Sequence, residues 1–165
     1  MMLIRQAVES DAPKLIPVMK DAEESGFMLY GPGERQMKEE PLIKFINTLN
    51  NAPKSGFFVA EDNDEILGYL LLKAENLSRT SHRAMIAIGV HSNSRGKGVG
   101  SKLFEHIINW GKQVQLHRLE LTVIETNEHA IKLYQKMGFE IEGIKKDSLL
   151  IDGQYVNEIY MAKLL

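Results

Sequence analysis

Apolar residues recur along this chain in two alternating rhythms, one of period two and one of period three to four. The opening run "MLIRQAV" reads as a strand. After it, Ser10 is expected to cap a helix that carries Leu15, Ile16, Val18, Met19 and Ala22, with Asp11 and Pro13 in its first turn. From Ser25 to Met37 the chain is rich in glycine and aromatic residues without a clear period, which predicts a loop of the kind that often shapes binding sites. Leu42, Ile43, Phe45, Ile46 and Leu49 then mark a second helix, ended by "NNAP".

The runs "GFFVAE" and "ILGYLLLKAE" flank "DNDE", a hairpin signature, and "AMIAIGVH" is a further strand. Val99, Leu103 and Ile107, with Phe104 and Ile108 beside them, predict a helix from Val99 to Val114. "RLELTVI" follows as a strand. Ala130, Leu133 and Met137 mark a shorter helix that stops at Gly138, and the chain closes with two strands joined at Asp152-Gly153. The order β, α, α, β, β, β, α, β, α, β, β implies an α/β (α+β) fold. It has antiparallel hairpins and at least one crossover, around "AMIAIGVH", its helix and "RLELTVI".

Composition narrows the function classes. The 165 residues suit one domain spanning 1–165, with no internal repeat, low-complexity tract or linker. A net charge of -2 argues against a broad basic face for nucleic acid. No apolar run approaches the roughly 20 residues that span a bilayer, and the N-terminus turns polar too soon for a signal peptide, so a cytoplasmic location is expected. The chain has no cysteine, which removes disulfides, thiolate metal sites and a cysteine nucleophile. No metal is expected.

The chemistry concentrates in "SRGKGVGSKL", a basic glycine-rich turn between a strand and a helix. Such a turn presents free backbone N–H groups and the positive helix end to an anion. It is not a nucleotide-triphosphate loop, because Gly96-Lys97 is followed by Gly98 and no glycine stands five residues before a Gly-Lys-Ser/Thr. It is not a dinucleotide fingerprint either, since Ser101 stands where the third glycine would be.

What remains, Arg95-x-x-Gly98-x-Gly100, resembles the acyl-coenzyme A loop of the GNAT superfamily of N-acyltransferases. A second family motif resembles "LTVIETNEHAIKLYQKMGFEIEG", where Asn127 opens a helix, Tyr134 lies two turns on and Gly138-Phe139 closes it. The resemblance covers nearly the whole chain. It implies a mixed, mostly antiparallel sheet of seven strands with about four helices, in which two strands splay apart to hold acyl-CoA. Acetyl-CoA is then the co-substrate and an amine the acceptor.

By the same resemblance, backbone groups of Ile88, Gly89 and Val90 hold the pantetheine arm, and Gly89 itself reads either as a β-bulge that frees these groups or as a point of close packing. The pyrophosphate sits on Gly96, Lys97, Gly98, Val99, Gly100 and Ser101, with Arg95 and Lys97 supplying charge. Asn127 binds the arm. Tyr134, about 700° of helix further and so on the same face, is the expected general acid for the departing thiolate. Some relatives have a glutamate base where this chain has Thr122, which could orient a water but is no base. Glu125 and His91 lie near the expected cleft and read more simply as solvated loop-end residues.

The acceptor is open at this level. A small molecule such as an amino acid, polyamine or amine antibiotic leads, with a protein N-terminus or lysine as the alternative and a non-catalytic CoA-binding regulatory module as a third reading. Glu23, Glu24, Glu34, Glu39 and Glu40 weakly favour a cationic amine. A homodimer is common in the family, and no segment here establishes one.

Overall fold

The computed structural model describes all residues, Met1–Leu165. Seven strands and four α-helices follow the expected order: β1 (Leu3–Gln6), α1 (Ala12–Glu23), α2 (Glu39–Asn51), β2 (Gly56–Asp62), β3 (Glu65–Ala74), β4 (Arg83–Val90), α3 (Val99–Gln113), β5 (Arg118–Ile124), α4 (Glu128–Lys136), β6 (Glu140–Ile151) and β7 (Gln154–Leu164). The strands form one sheet in the order β1-β2-β3-β4-β5-β7-β6. Only β4 and β5 run parallel, because α3 carries the chain back across the sheet between them.

Alternation along the strands sorts side chains onto two faces. Phe58, Ala60, Leu70, Leu72, Ala84, Ile86, Leu119, Leu121 and Val123 pack with Val99, Leu103, Phe104 and Ile107 of α3 and with Tyr134 of α4. Phe57, Val59 and Tyr69 face the other way, against Leu15, Met19 and Ala22 of α1 and Leu42, Ile46 and Leu49 of α2. The two helix layers are thus held on opposite faces by alternate residues of the same strands.

Local turn chemistry sets the hairpins. Asn63 and Asp64 between β2 and β3, and Asp152 and Gly153 between β6 and β7, all adopt the left-handed backbone that a two-residue turn of the I′ type requires. The start of α1 differs from expectation. Ser10 lies in a short 3-10 turn, and Asp11 holds the N-cap position. The Asp11 carboxylate is drawn away from the helix, accepting from the Val8 N–H at 2.8 Å and from both terminal nitrogens of Arg5 at 2.7 and 2.8 Å. It ties β1 to α1 instead of capping a helix. No helix is long and apolar enough to cross a membrane.

Candidate active site

The parallel pair β4–β5 is joined over only three register positions, Arg83 with Arg118, Ala84 with Leu119 and Met85 with Glu120. Beyond them β4 runs on to Val90 and β5 to Ile124, each still paired on its outer side, β4 with β3 and β5 with β7. The edges that face each other, Ile86–Val90 and Leu121–Ile124, have no strand between them. Peptide groups along such a gap seek partners, and an extended ligand can supply them.

The glycine loop stands at the open end of this gap. Gly96 and Gly98 have φ of 76° and 79°, and a Cβ at either would meet nothing within 4 Å. The glycines are therefore required by backbone conformation, with open space beside them. None of the N–H groups from Gly96 to Ser101 donates to a protein acceptor, and Gly98 is the N-cap of α3. Consecutive free amides at a helix start, flanked by exposed Arg95 and Lys97, fit the pyrophosphate of a coenzyme. Gly100 has a different reason to be glycine. A Cβ there would lie 2.8 Å from Leu133 Cδ2, so it permits α3 and α4 to approach.

Asp21 of α1 fastens the start of the loop. Its carboxylate accepts from the Ser92 N–H at 2.7 Å and from Ser92 Oγ at 2.8 Å, and His91 Nε2 lies 3.7 Å away. Partial burial is the largest influence on this carboxyl and opposes ionisation, yet the Ser92 hydrogen bonds with the His91 and Arg95 charges prevail and hold it below the usual range. His91 Nδ1 accepts from the Asn93 N–H at 3.1 Å. His91 thus serves the loop's conformation.

On α4, Asn127 Oδ1 accepts from the Ala130 N–H at 3.3 Å, a helix cap that leaves its amide nitrogen free. Tyr134 is buried among aromatics, edge-on to Phe104 at 5.5 Å and beside Phe139 at 6.3 Å. Burial pushes its phenol up to about 12, so it keeps its proton at any physiological pH. No protein group hydrogen-bonds its hydroxyl.

At Gly89 the close packing holds and the bulge does not. The β3–β4 register runs unbroken through Tyr69 with Gly89, so there is no bulge. A Cβ on Gly89 would sit 2.5 to 2.6 Å from the ring and hydroxyl of Tyr69. Glycine is needed because the tyrosine ring lies over it. Ile88 and Val90 point to the α3/α4 face and Gly89 to the α1/α2 face, the face that alternation also assigns to Thr122. The gap between β4 and β5 is where these two faces communicate.

Ile88, Gly89 and Val90 therefore border the gap, the residues Arg95–Ser101 follow it directly, and Asn127 and Tyr134 belong to the helix that packs on α3. Glu125 directly follows β5 and is exposed, with its N–H on the Asn157 carbonyl at 3.0 Å. No three His, Asp or Glu side chains are grouped to hold a metal ion. Sequence reasoning missed Asp21, Tyr69 and the ion pair of Glu23 with Arg35. Glu23 did carry a signal: it continues the Leu15, Met19 spacing of the buried stripe of α1.

Three known proteins extend this geometry. An L-amino acid N-acetyltransferase, AaaT, from Escherichia coli is 39% identical over 110 residues, which are 64% of this chain and 66% of that protein. A GNAT-family acetyltransferase from Streptococcus pneumoniae superposes with a TM-score of 0.92 at 28% identity, covering 100% of this chain and 99% of its own. The structure of yncA from Salmonella typhimurium, described as a putative acetyltransferase and solved with acetyl-CoA, shares the fold with a TM-score of 0.89 at 18% identity, covering 99% and 94%. With residues 18–139 also matching the model of the Acetyltransferase (GNAT) family, the chain belongs to that family, whose members use acetyl-CoA as co-substrate for N-acetylation.

Proposed function

We propose that this chain transfers the acetyl group of acetyl-CoA to the primary amine of a small molecule, by direct attack within a ternary complex. The observation that carries the reading is the three-position seam between β4 and β5, opening toward a loop of unpaired amides. The 39% identity to an enzyme named for L-amino acids supports a small-molecule acceptor over a protein one.

Bound acetyl-CoA supplies a thioester carbonyl and a thiolate leaving group. Peptide groups of Ile88, Gly89 and Val90 hold the arm as an added strand, and the amides of Gly96, Lys97, Gly98, Val99, Gly100 and Ser101 receive the pyrophosphate beside Arg95 and Lys97. The free amide nitrogen of Asn127 hydrogen-bonds the arm. Tyr134 approaches from the α3/α4 face while the acceptor approaches from the α1/α2 face. The nitrogen–carbon bond forms, the carbon–sulfur bond breaks, and the proton lost by nitrogen balances the one gained by sulfur.

With its proton held to about pH 12, Tyr134 is a weaker acid than a thiol of pKa near 8.5. Its first service is a hydrogen bond to the developing thiolate. An amine of pKa near 10.4 needs roughly 4 to 5 kcal/mol to become neutral at pH 7, and a water held by Thr122, on the α1/α2 face by strand alternation, would take up its proton. Calorimetric titration with acetyl-CoA and thiol release over a panel of amino acids, polyamines, aminoglycosides and N-terminal peptides test the reading. Saturable binding with turnover on small amines is expected. Absence of acetyl-CoA binding overturns it.

A further inference from the structure

We infer that Glu23 and Arg35 together read an acceptor bearing an amine and a carboxylate on neighbouring atoms, an α-amino acid or a close analogue. This rests on the acetyltransferase reading above and names the chemistry that its acceptor side selects. Glu23, the last residue of α1, is only 4% exposed. Its Oε2 accepts from Arg35 Nη2, and no protein group reaches Oε1. Arg35 belongs to the loop from Ser25 to Met37 and stacks its guanidinium 4.3 Å over the Tyr30 ring.

The guanidinium is under-used. A single donor is spent on Glu23, while Nε is buried and donates to no protein acceptor. The pair is one-sided: the Glu23 side chain is 5% exposed and that of Arg35 31%, so a buried carboxylate is matched to a guanidinium whose outer edge faces the open. The sealed Nε is out of a ligand's reach, but Nη1 is unbonded and accessible and Nη2 has a second N–H, and that outer edge of a guanidinium can grip a carboxylate through two parallel hydrogen bonds. The free Glu23 oxygen beside it is suited to an amine.

The pair lies at the end of α1 whose Met19 and Ala22 share a buried cluster with Tyr69, on the α1/α2 face from which the acceptor is proposed to come. Two residues before Glu23, Asp21 is bonded to Ser92 at the end of β4, and Tyr69 covers Gly89. The Tyr69 hydroxyl senses both charges, Glu23 raising its pKa and Arg35 lowering it, beneath a larger upward push from burial. Polyamines and lysine side chains have no carboxylate for Arg35 and would bring a cation against it. A peptide N-terminus offers an amide there.

Three of the four remaining acidic residues of the region, all but the neighbouring Glu24, have other work that weakens the case for a polycation. Glu34 accepts from the Gly31 N–H at 2.8 Å, and Glu39 and Glu40 occupy the first turn of α2, where the helix dipole favours them.

The test compares kcat/KM, at saturating acetyl-CoA, for α-amino acids against their decarboxylated amines and their methyl esters. The wild-type protein is expected to prefer the free acid by at least about 100-fold, because a site with charged donors rejects a ligand that leaves them unpaired. In Arg35→Gln the preference should shrink at least about tenfold, through KM. The double variant Glu23→Gln/Arg35→Gln leaves no lone buried charge and guards against misfolding. Equal or better use of a decarboxylated amine, a polyamine or an N-terminal peptide by the wild type overturns the inference, as does an unchanged preference in a folded variant. Should the variants not fold, the wild-type comparison decides alone. Calorimetry with acetyl-CoA accompanies each protein: binding without acid preference sinks this inference only, whereas no binding sinks the acetyltransferase reading itself.

Discussion

Tyr69 and Gly89 face each other across β3 and β4, and the tyrosine ring fills the volume that a side chain at Gly89 would need. Gly89→Ala is therefore expected to destabilise the fold by about 1 to 3 kcal/mol, the usual range for overpacking. Combined with Tyr69→Leu, which vacates the space, the two losses should be less than additive. Urea unfolding of the four proteins measures the coupling, and strict additivity would show that the ring does not set the identity of residue 89.

Gly98→Asp puts a negative side chain beside amides expected to hold a pyrophosphate, where no neighbour is displaced but φ of 79° strains any side chain, so Gly98→Asn is the control that carries the strain without the charge. Acetyl-CoA affinity should fall by at least about tenfold, since like charge near a binding site costs a kcal/mol or more even when partly screened. The melting temperature reports on folding separately. Gly100→Asp makes a poorer probe, because its Cβ would strike Leu133 and disturb the contact between α3 and α4.

Removing one oxygen in Tyr134→Phe should lower kcat by roughly 10²-fold or more, the scale of a lost proton-donating group. Unchanged turnover would mean that Tyr134 is packing only, and retained binding without turnover on any amine would favour a regulatory module. In the wild type no falling limb in kcat from this group is expected below about pH 11, because its pKa stands at about 12.

The same shift makes a prediction for stability. A phenol that holds its proton more tightly when folded contributes fully below its unfolded pKa near 10, and that contribution is lost as pH rises through the folded value of about 12. Unfolding free energy should decline by as much as about 3 kcal/mol across that window, and Tyr134→Phe should remove that component. Denaturant titrations from pH 8 to 11.5, comparing the two proteins, detect the difference.

Asp21 carries the start of the glycine loop on two hydrogen bonds. Asp21→Ala should weaken acetyl-CoA binding several-fold with little effect on the overall fold, and Asp21→Asn, which keeps an acceptor for Ser92, should recover part of it. Equal affinity in all three proteins would show that the loop needs no fastening.

Much of this was legible in the residues because it is local. The paired left-handed turns at Asn63-Asp64 and Asp152-Gly153, the helix opened by Asn127, and the β4–α3–β5 crossover are written in short windows, where backbone preference and apolar period agree. What stayed hidden depends on register and distance. A lone glycine in a strand signals either a bulge or a close approach, and only the position of Tyr69 decides between them at Gly89. At Gly100 the sequence offered a phosphate amide but not the second reason for glycine, because Leu133 arrives from another element. Ser92 and Asp21 are 71 positions apart in the chain, and no window contains both. Glu23 stood in the buried stripe of α1, but its charge disguised it as surface until Arg35 supplied its partner.

The brevity of the β4–β5 seam has a consequence for motion. It divides the sheet into a lobe of four strands and a lobe of three, zipped together at one end only. A pantetheine arm lying between them would act as an eighth strand and stitch the lobes along their length. Amide hydrogens along Ile86–Val90 and Leu121–Ile124 should then exchange slowly in the loaded protein and faster in the free one. The co-substrate is, in that sense, a removable segment of the fold, and the protein is stiffest at the moment it is ready to react.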